Sequence, residues 1–161
     1  MTIKVGDHLP KASFAVMTPE GPAVRSTDDI FKGRRVVLIG VPGAFTPTCS
    51  NVHLPGFANR IDDFKEKGVD AIAVTAVNDV FVMHAWASSS DAGAHISFLA
   101  DGNGDFAKAL GLTLDLTERG LGVRSQRYSM LVEDGVVRQL NVEASAGKAD
   151  VSSAESILHQ L

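Results

Sequence analysis

Arg35-Val36-Val37-Leu38-Ile39-Gly40-Val41 decides the fold. The run is apolar and rich in β-branched residues, and it lacks the alternation of a strand with one wet face. It therefore reads as a central strand covered on both sides. Cover of that kind comes from helices packed on both faces of a sheet, as in α/β folds. On the C-terminal side, Pro42 to Pro47 form a loop, and Leu54, Phe57, Ile61 and Phe64 then recur at three- and four-residue spacing. This is one apolar helix face, which Gly68 ends, and Cys49 lies in its first turn. Pro55 removes the bond to the Asn51 carbonyl, which predicts a kink.

Further along, Val69 to Val77 is a second buried strand and Val80 to Ser88 a helix with Phe81, Ala85 and Trp86 placed to pack. Ile96 to Ala100 is a third strand and Phe106 to Leu110 a short helix. Strands at Gln126 to Glu133 and Val136 to Val142 flank Asp134-Gly135, a strong hairpin signal. Ser152 to Leu161 closes with a helix. On the N-terminal side, Ser26-Thr27-Asp28-Asp29 offers caps for a turn carrying Ile30 and Phe31. Phe14, Val16 and Met17 before Pro19-Glu20-Gly21-Pro22 predict a short hairpin at the edge. The plan is a layered α/β sandwich. No repeat or long linker divides it, so residues 1–161 are expected to form a single domain.

The composition narrows the function. With 161 residues, 45% of them hydrophobic and 21% charged, the chain has enough apolar surface to fold without disulfides or a structural metal. A net charge of -4, with no basic stripe, argues against nucleic acid as a partner. Met1 to Pro10 lacks the apolar stretch of a secretory signal and no run is long enough to span a membrane, so a soluble cytoplasmic protein is expected. Apart from His53, the histidines His8, His84, His95 and His159 are dispersed, without the paired spacing of a zinc site, and no metal is expected. Gly102-Asn103-Gly104-Asp105-Phe106-Ala107 fits a relaxed dinucleotide fingerprint, but Asp101 and Asp105 would repel a pyrophosphate, so it reads as a tight turn and no cofactor is assigned.

One cysteine remains. It can form no internal disulfide, so its value lies in packing or in reactivity. A thiol at its reference pKa of about 8.5 is only slightly ionised at neutral pH, and a reactive one needs stabilised charge. A helix N-terminus supplies unpaired N–H groups and the positive end of a dipole. Arg127 would add a cation if its strand lies beside the one leading into the loop, and Arg124 is its rival. The surroundings Pro42-Gly43-Ala44-Phe45-Thr46-Pro47-Thr48-Cys49-Ser50 hold two prolines, a glycine and several hydroxyls, an unusual wall for a packed core, which favours reactivity. His53, one helical turn from Cys49, is placed either to tune the thiol, to line the entrance, or to sit on the helix surface.

Pro42, Thr46 and Cys49 match the peroxiredoxin signature of Pro, three residues, Thr, two residues, Cys. The stretch Val41 to Phe57, with Val77-Asn78-Asp79, Phe81-Val82-Met83, Ala85-Trp86 and Arg127-Tyr128-Ser129-Met130, resembles the type II or type 5 subfamily over nearly the whole chain. The resemblance implies a thioredoxin-like three-layer α/β/α sandwich with a central mixed sheet and an N-terminal hairpin. It also implies reduction of hydrogen peroxide or alkyl hydroperoxides by Cys49, with Thr46 and Arg127 at the catalytic positions. In that chemistry sulfur attacks one peroxide oxygen and charge grows on the other. Arg127 and the N–H groups of Thr48 and Cys49 would meet that charge. Thr46 would orient the peroxide, Pro42 would shield the sulfur, and Phe45 and His53 are further candidates for lining the substrate site.

Positions that carry a resolving cysteine in some relatives correspond here to Val74 and Val151, so the implied cycle uses one cysteine. An external thiol would restore the resulting sulfenic acid: glutathione, with or without glutaredoxin, or else thioredoxin. A homodimer is also implied. Two other classes stay open. A disulfide reductase on the same fold needs a cysteine where Thr46 stands. A redox-inactive binding or holdase module would show a thiol with no unusual reactivity toward peroxide.

Overall fold

The structure is a computed structural model and describes residues 2–161. Strands β1 (Ser13–Thr18) and β2 (Gly21–Ser26) form the predicted N-terminal hairpin, and α1 (Thr27–Phe31) follows at once. Its start is a capping box in which Ser26 Oγ accepts from Asp29 N–H and the Asp29 carboxylate accepts from Ser26 N–H. The central strand is β3 (Arg35–Gly40), joined in parallel to β4 (Ala71–Ala76), which pairs in parallel with β5 (Ile96–Ala100). On the other side β3 pairs antiparallel with β8 (Tyr128–Glu133), and β8 with β9 (Val136–Val142). The order β2-β1-β5-β4-β3-β8-β9 makes a mixed sheet of the thioredoxin-like type. Asp134 and Gly135 close the last hairpin with φ of 49° and 80°, the twist that a two-residue turn between such strands requires.

The side chains of β3 alternate strictly between two cores. Val37 and Ile39 meet Phe57, Phe64, Met83 and Trp86 on one face. Val36 and Leu38 meet Phe14, Phe31, Phe106 and Leu110 on the other. Both cores exclude water, which is why the sequence shows no polar alternation here. At Gly40 the strand is a bare ledge for the Tyr128 ring: a Cβ there would stand 1.9 Å from Tyr128 Cε2.

Several expectations are corrected. The face from Leu54 to Phe64 is carried by two helices, α2 (Leu54–Ala58) and α3 (Ile61–Glu66), because the chain turns at Asn59 and Arg60. The kink foreseen at Pro55 takes the form of a π-helical turn, Cys49–His53, in which Leu54 N–H reaches back to Cys49 O. One extra residue in the turn accommodates the proline that follows. Helix α4 (Val80–Ser88) has its predicted limits, but Val80, Met83 and Trp86 are its buried residues. Phe81 (66% exposed) and Ala85 point to solvent instead of packing. Helix α5 runs Asp105–Leu110, and a small hairpin of β6 (Thr113–Asp115) and β7 (Val123–Ser125) follows that no periodicity announced, its strands being too short. The closing helix α6 is only Ala154–Leu158.

Candidate active site

The loop after β3 brings Cys49 to the end of the sheet where β3 stops. Thr46 N–H and Thr46 Oγ1 both donate to Gly43 O (3.4 and 2.8 Å), and Phe45 sits in the left-handed region at φ 64°, half exposed at the rim. Ser50 N–H donates to Thr46 O at 2.9 Å, which begins the helix. No side chain caps this start, and the N–H groups of Thr48 and Cys49 have no partner among the described residues. Cys49 itself is fully buried, at 0% exposure. The thiol thus sits in a packed wall although its loop is rich in turn residues, and what separates it from an inert core cysteine is its partner. Arg127 Nη2 donates to Cys49 Sγ at 3.0 Å.

That contact needs β8 beside β3, and the antiparallel register Gly40↔Tyr128 supplies it. Arg127 lies just before β8 and not within it as expected, because β3 ends at Gly40 and leaves nothing for Arg127 to pair with on that side. Its carbonyl still accepts from Glu143 N–H at 2.9 Å. The guanidinium is 2% exposed as part of its residue and has no carboxylate partner among the described residues. Three contacts fix it: Nε donates to Ala146 O (3.0 Å), Nη1 to His53 Nδ1 (3.0 Å), and Nη2 to the sulfur. Arg124 is turned elsewhere, donating to Leu121 O (2.8 Å) and Pro42 O (3.3 Å), so it braces the loop and does not meet the sulfur.

His53 is neither at the entrance nor on the helix surface. It is 1% exposed, with Nε2 at 2.9 Å from Ser152 O and Nδ1 facing Arg127. Only a neutral ring protonated on Nε2 satisfies both contacts. Burial, opposed by the Ser152 carbonyl and aided by the neighbouring Arg127, lowers its pKa to about 4. Its ring meets the Arg127 guanidinium, which in turn meets the sulfur. Thr48 is half-buried and its hydroxyl donates to Gly147 O (3.1 Å). Pro42 is buried.

Ala146, Ser152 and Glu143 were not foreseen. Two of them act through backbone carbonyls, which any residue has, and sequence holds no signal for them. Val74 is buried in β4 and Val151 is exposed in the loop before α6. The glycine-rich turn is already filled: both oxygens of the Asp101 carboxylate accept from α5, Phe106 N–H at 3.0 Å and Ala107 N–H at 2.9 Å, so no phosphate is needed there.

A buried sulfur, a guanidinium on it and free N–H groups beside it can hold an anion and stabilise one that forms. Residues 4–158 match the Redoxin family. The chain is 48% identical to Peroxiredoxin-2C of Oryza sativa subsp. japonica, over 99% of this chain and 98% of that one. It is 45% identical to Peroxiredoxin-2B of Arabidopsis thaliana, over 99% and 98%. Among solved structures, reduced Prx3 of Vibrio vulnificus in complex with H2O2 superposes with a TM-score of 0.93 at 48% identity, covering 99% of both chains.

Proposed function

This chain belongs to the Redoxin family as a type II peroxiredoxin, a thiol-dependent peroxidase with an antioxidant role, and we propose that Cys49 is its reacting thiol and Arg127 the charge that drives it. The observation that carries this reading is the 3.0 Å contact from Arg127 Nη2 to Cys49 Sγ at an uncapped helix start.

The thiolate attacks the terminal oxygen of the hydroperoxide in line with the O–O bond. The S–O bond forms as the O–O bond breaks, sulfur is oxidised by two electrons to a sulfenic acid, and the other oxygen leaves with the electron pair, takes a proton and departs as water or an alcohol. Arg127 and the N–H groups of Thr48 and Cys49 stabilise the charge on the oxygens. Thr46, whose hydroxyl proton is held by Gly43 O, keeps its lone pairs for the peroxide O–H. Pro42 excludes water from one side, and Phe45 forms the rim. With one cysteine in the chain, an external thiol condenses with the sulfenic acid, releasing water, and a second thiol frees Cys49 as the mixed disulfide breaks.

Glutathione, alone or with glutaredoxin, is the reductant we assign, with thioredoxin the alternative. The cytoplasm is the compartment, because abundant reduced thiols there keep a lone cysteine ready. Phe45 and Val123, about half exposed, present apolar surface that a second copy would cover in a homodimer, which sedimentation tests.

The central test is stopped flow with hydrogen peroxide, followed through Trp86, whose Nε1–H donates to Ser50 Oγ beside Cys49 at 3.0 Å. A fast phase ending in one sulfenic acid by intact mass is expected. It should vanish in Cys49→Ser and slow on the order of 100-fold in Arg127→Ala. A wild-type thiol no faster than a free one would turn the reading to a binding module.

A further inference from the structure

Residues 143–152 leave β9 and return to α6 as a loop, and its neck is tied by a side chain that has no part in the chemistry above. Glu143 is buried, at 8% exposure, and so is Ser152, at 0%. One carboxylate oxygen, Glu143 Oε2, accepts from both Ser152 N–H (2.7 Å) and Ser152 Oγ (2.6 Å). No Lys or Arg lies within salt-bridge distance of this carboxylate among the described residues, so these two donors are what hold it. A buried charge is costly where a neutral residue could close a loop. It is justified where short, charge-assisted bonds must hold one residue in one orientation.

That residue is Ser152, and its carbonyl selects the state of His53. While Ser152 O faces Nε2 (2.9 Å), the ring carries its proton there and presents a bare Nδ1 to Arg127 Nη1 (3.0 Å). If the carbonyl swings away, Arg127 alone still favours that tautomer, and a ring that takes the other one points an N–H at an N–H, so the guanidinium loses an acceptor. The same loop sends Ala146 O to Arg127 Nε (3.0 Å) and Gly147 O to Thr48 Oγ1 (3.1 Å).

We propose that Glu143 is a positioning residue for the peroxidase reaction, holding Arg127 against the Cys49 sulfur through Ser152, the His53 tautomer and the Ala146 carbonyl. The inference rests on the reading of Cys49 and Arg127 as the reacting pair. A hydrogen bond lost from a charged group several contacts away from the sulfur should slow sulfenic acid formation about tenfold.

The test compares Glu143→Ala, Glu143→Gln and Arg127→Ala in the full chain, measuring the rate with hydrogen peroxide and the His53 ring by nitrogen-15 NMR. Glu143→Ala should be about tenfold slow and show mixed tautomers. Glu143→Gln, whose amide oxygen accepts the same two bonds, should recover most of the rate and the single Nε2–H tautomer. A Glu143→Ala protein with wild-type rate, or a slow one whose His53 stays in the Nε2–H form, overturns the proposal. Should Glu143→Ala not fold, Ser152→Ala removes only the hydroxyl donor. Partial slowing with a loosened tautomer then supports the relay, and an unchanged rate and spectrum sink it. If Arg127→Ala itself reacts at the wild-type rate, it is the assignment of the reacting pair that fails.

Discussion

Of the helices that start at the same end of the parallel strands, the one after β3 and the one after β5 treat their first-turn N–H groups in opposite ways. At α5 the Asp101 carboxylate takes the N–H groups of Phe106 and Ala107, so the site is closed by the chain itself. After β3 no side chain plays that part, and the N–H groups of Thr48 and Cys49 stay open beside a sulfur that already holds a guanidinium N–H. The backbone route is similar in both. The difference is whether the orphan donors of a helix start are met by a built-in anion or kept for one that arrives with the reaction.

Converting one start into the other should produce the largest effect. Thr48→Asp places a carboxylate in the first turn of the Cys49 helix and removes the hydroxyl that donates to Gly147 O. The rate with hydrogen peroxide in stopped flow should fall on the order of 100-fold. A rate near wild type would mean that the open donors are not what the chemistry uses.

The two starts also hold buried titratable groups that burial shifts in opposite directions: His53 is lowered to about 4 and Asp101 is raised. Between about pH 6.5 and 4 the unfolded chain binds a proton at His53 and the folded chain does not. This contribution is therefore complete above the unfolded value and is lost as pH falls toward the folded one, on the order of 3 kcal/mol in all. Urea unfolding from pH 7 to pH 4 should show that decline, and His53→Gln should flatten it. Asp101, raised by burial, works in the opposite sense and does not account for it.

Asp101→Ala reopens the α5 start and should cost about 2 kcal/mol, read as a lower urea midpoint, with the peroxide rate per folded molecule unchanged. A slowed rate would show that the two helix starts are coupled. The smallest effect is at Phe45, whose left-handed backbone disfavours a side chain. Phe45→Gly should be about 1 kcal/mol more stable than Phe45→Ala in the same unfolding experiment, and equal stabilities would mean the turn relaxes.

Sequence went far on the fold because the signals were local. The run before Pro42, the exact limits of α4, β5 and β9, and the Asp134-Gly135 turn each follow from periodicity or turn chemistry inside a few residues. It failed where the deciding partner was distant. Phe81 is apolar but faces water because Val80, Met83 and Trp86 are the residues turned to the sheet. The β6–β7 hairpin is too short for a pattern to register.

The candidate site divides in the same way. Sequence by itself determined which atoms are available: one sulfur, placed by Pro42, Thr46 and the apolar helix face at a helix start, and a set of cations from which to choose. The family resemblance already favoured Arg127 over Arg124, and tertiary structure decided how that guanidinium is brought to the sulfur and held there. The Gly40↔Tyr128 register sets Arg127, and not Arg124, on the sulfur, and the loop of residues 143–152 turns His53 from a helix residue into a buried acceptor. The reason is physical: a helix start is written in consecutive residues, whereas a guanidinium held from three sides is set by strand register and by backbone carbonyls that carry no side-chain identity.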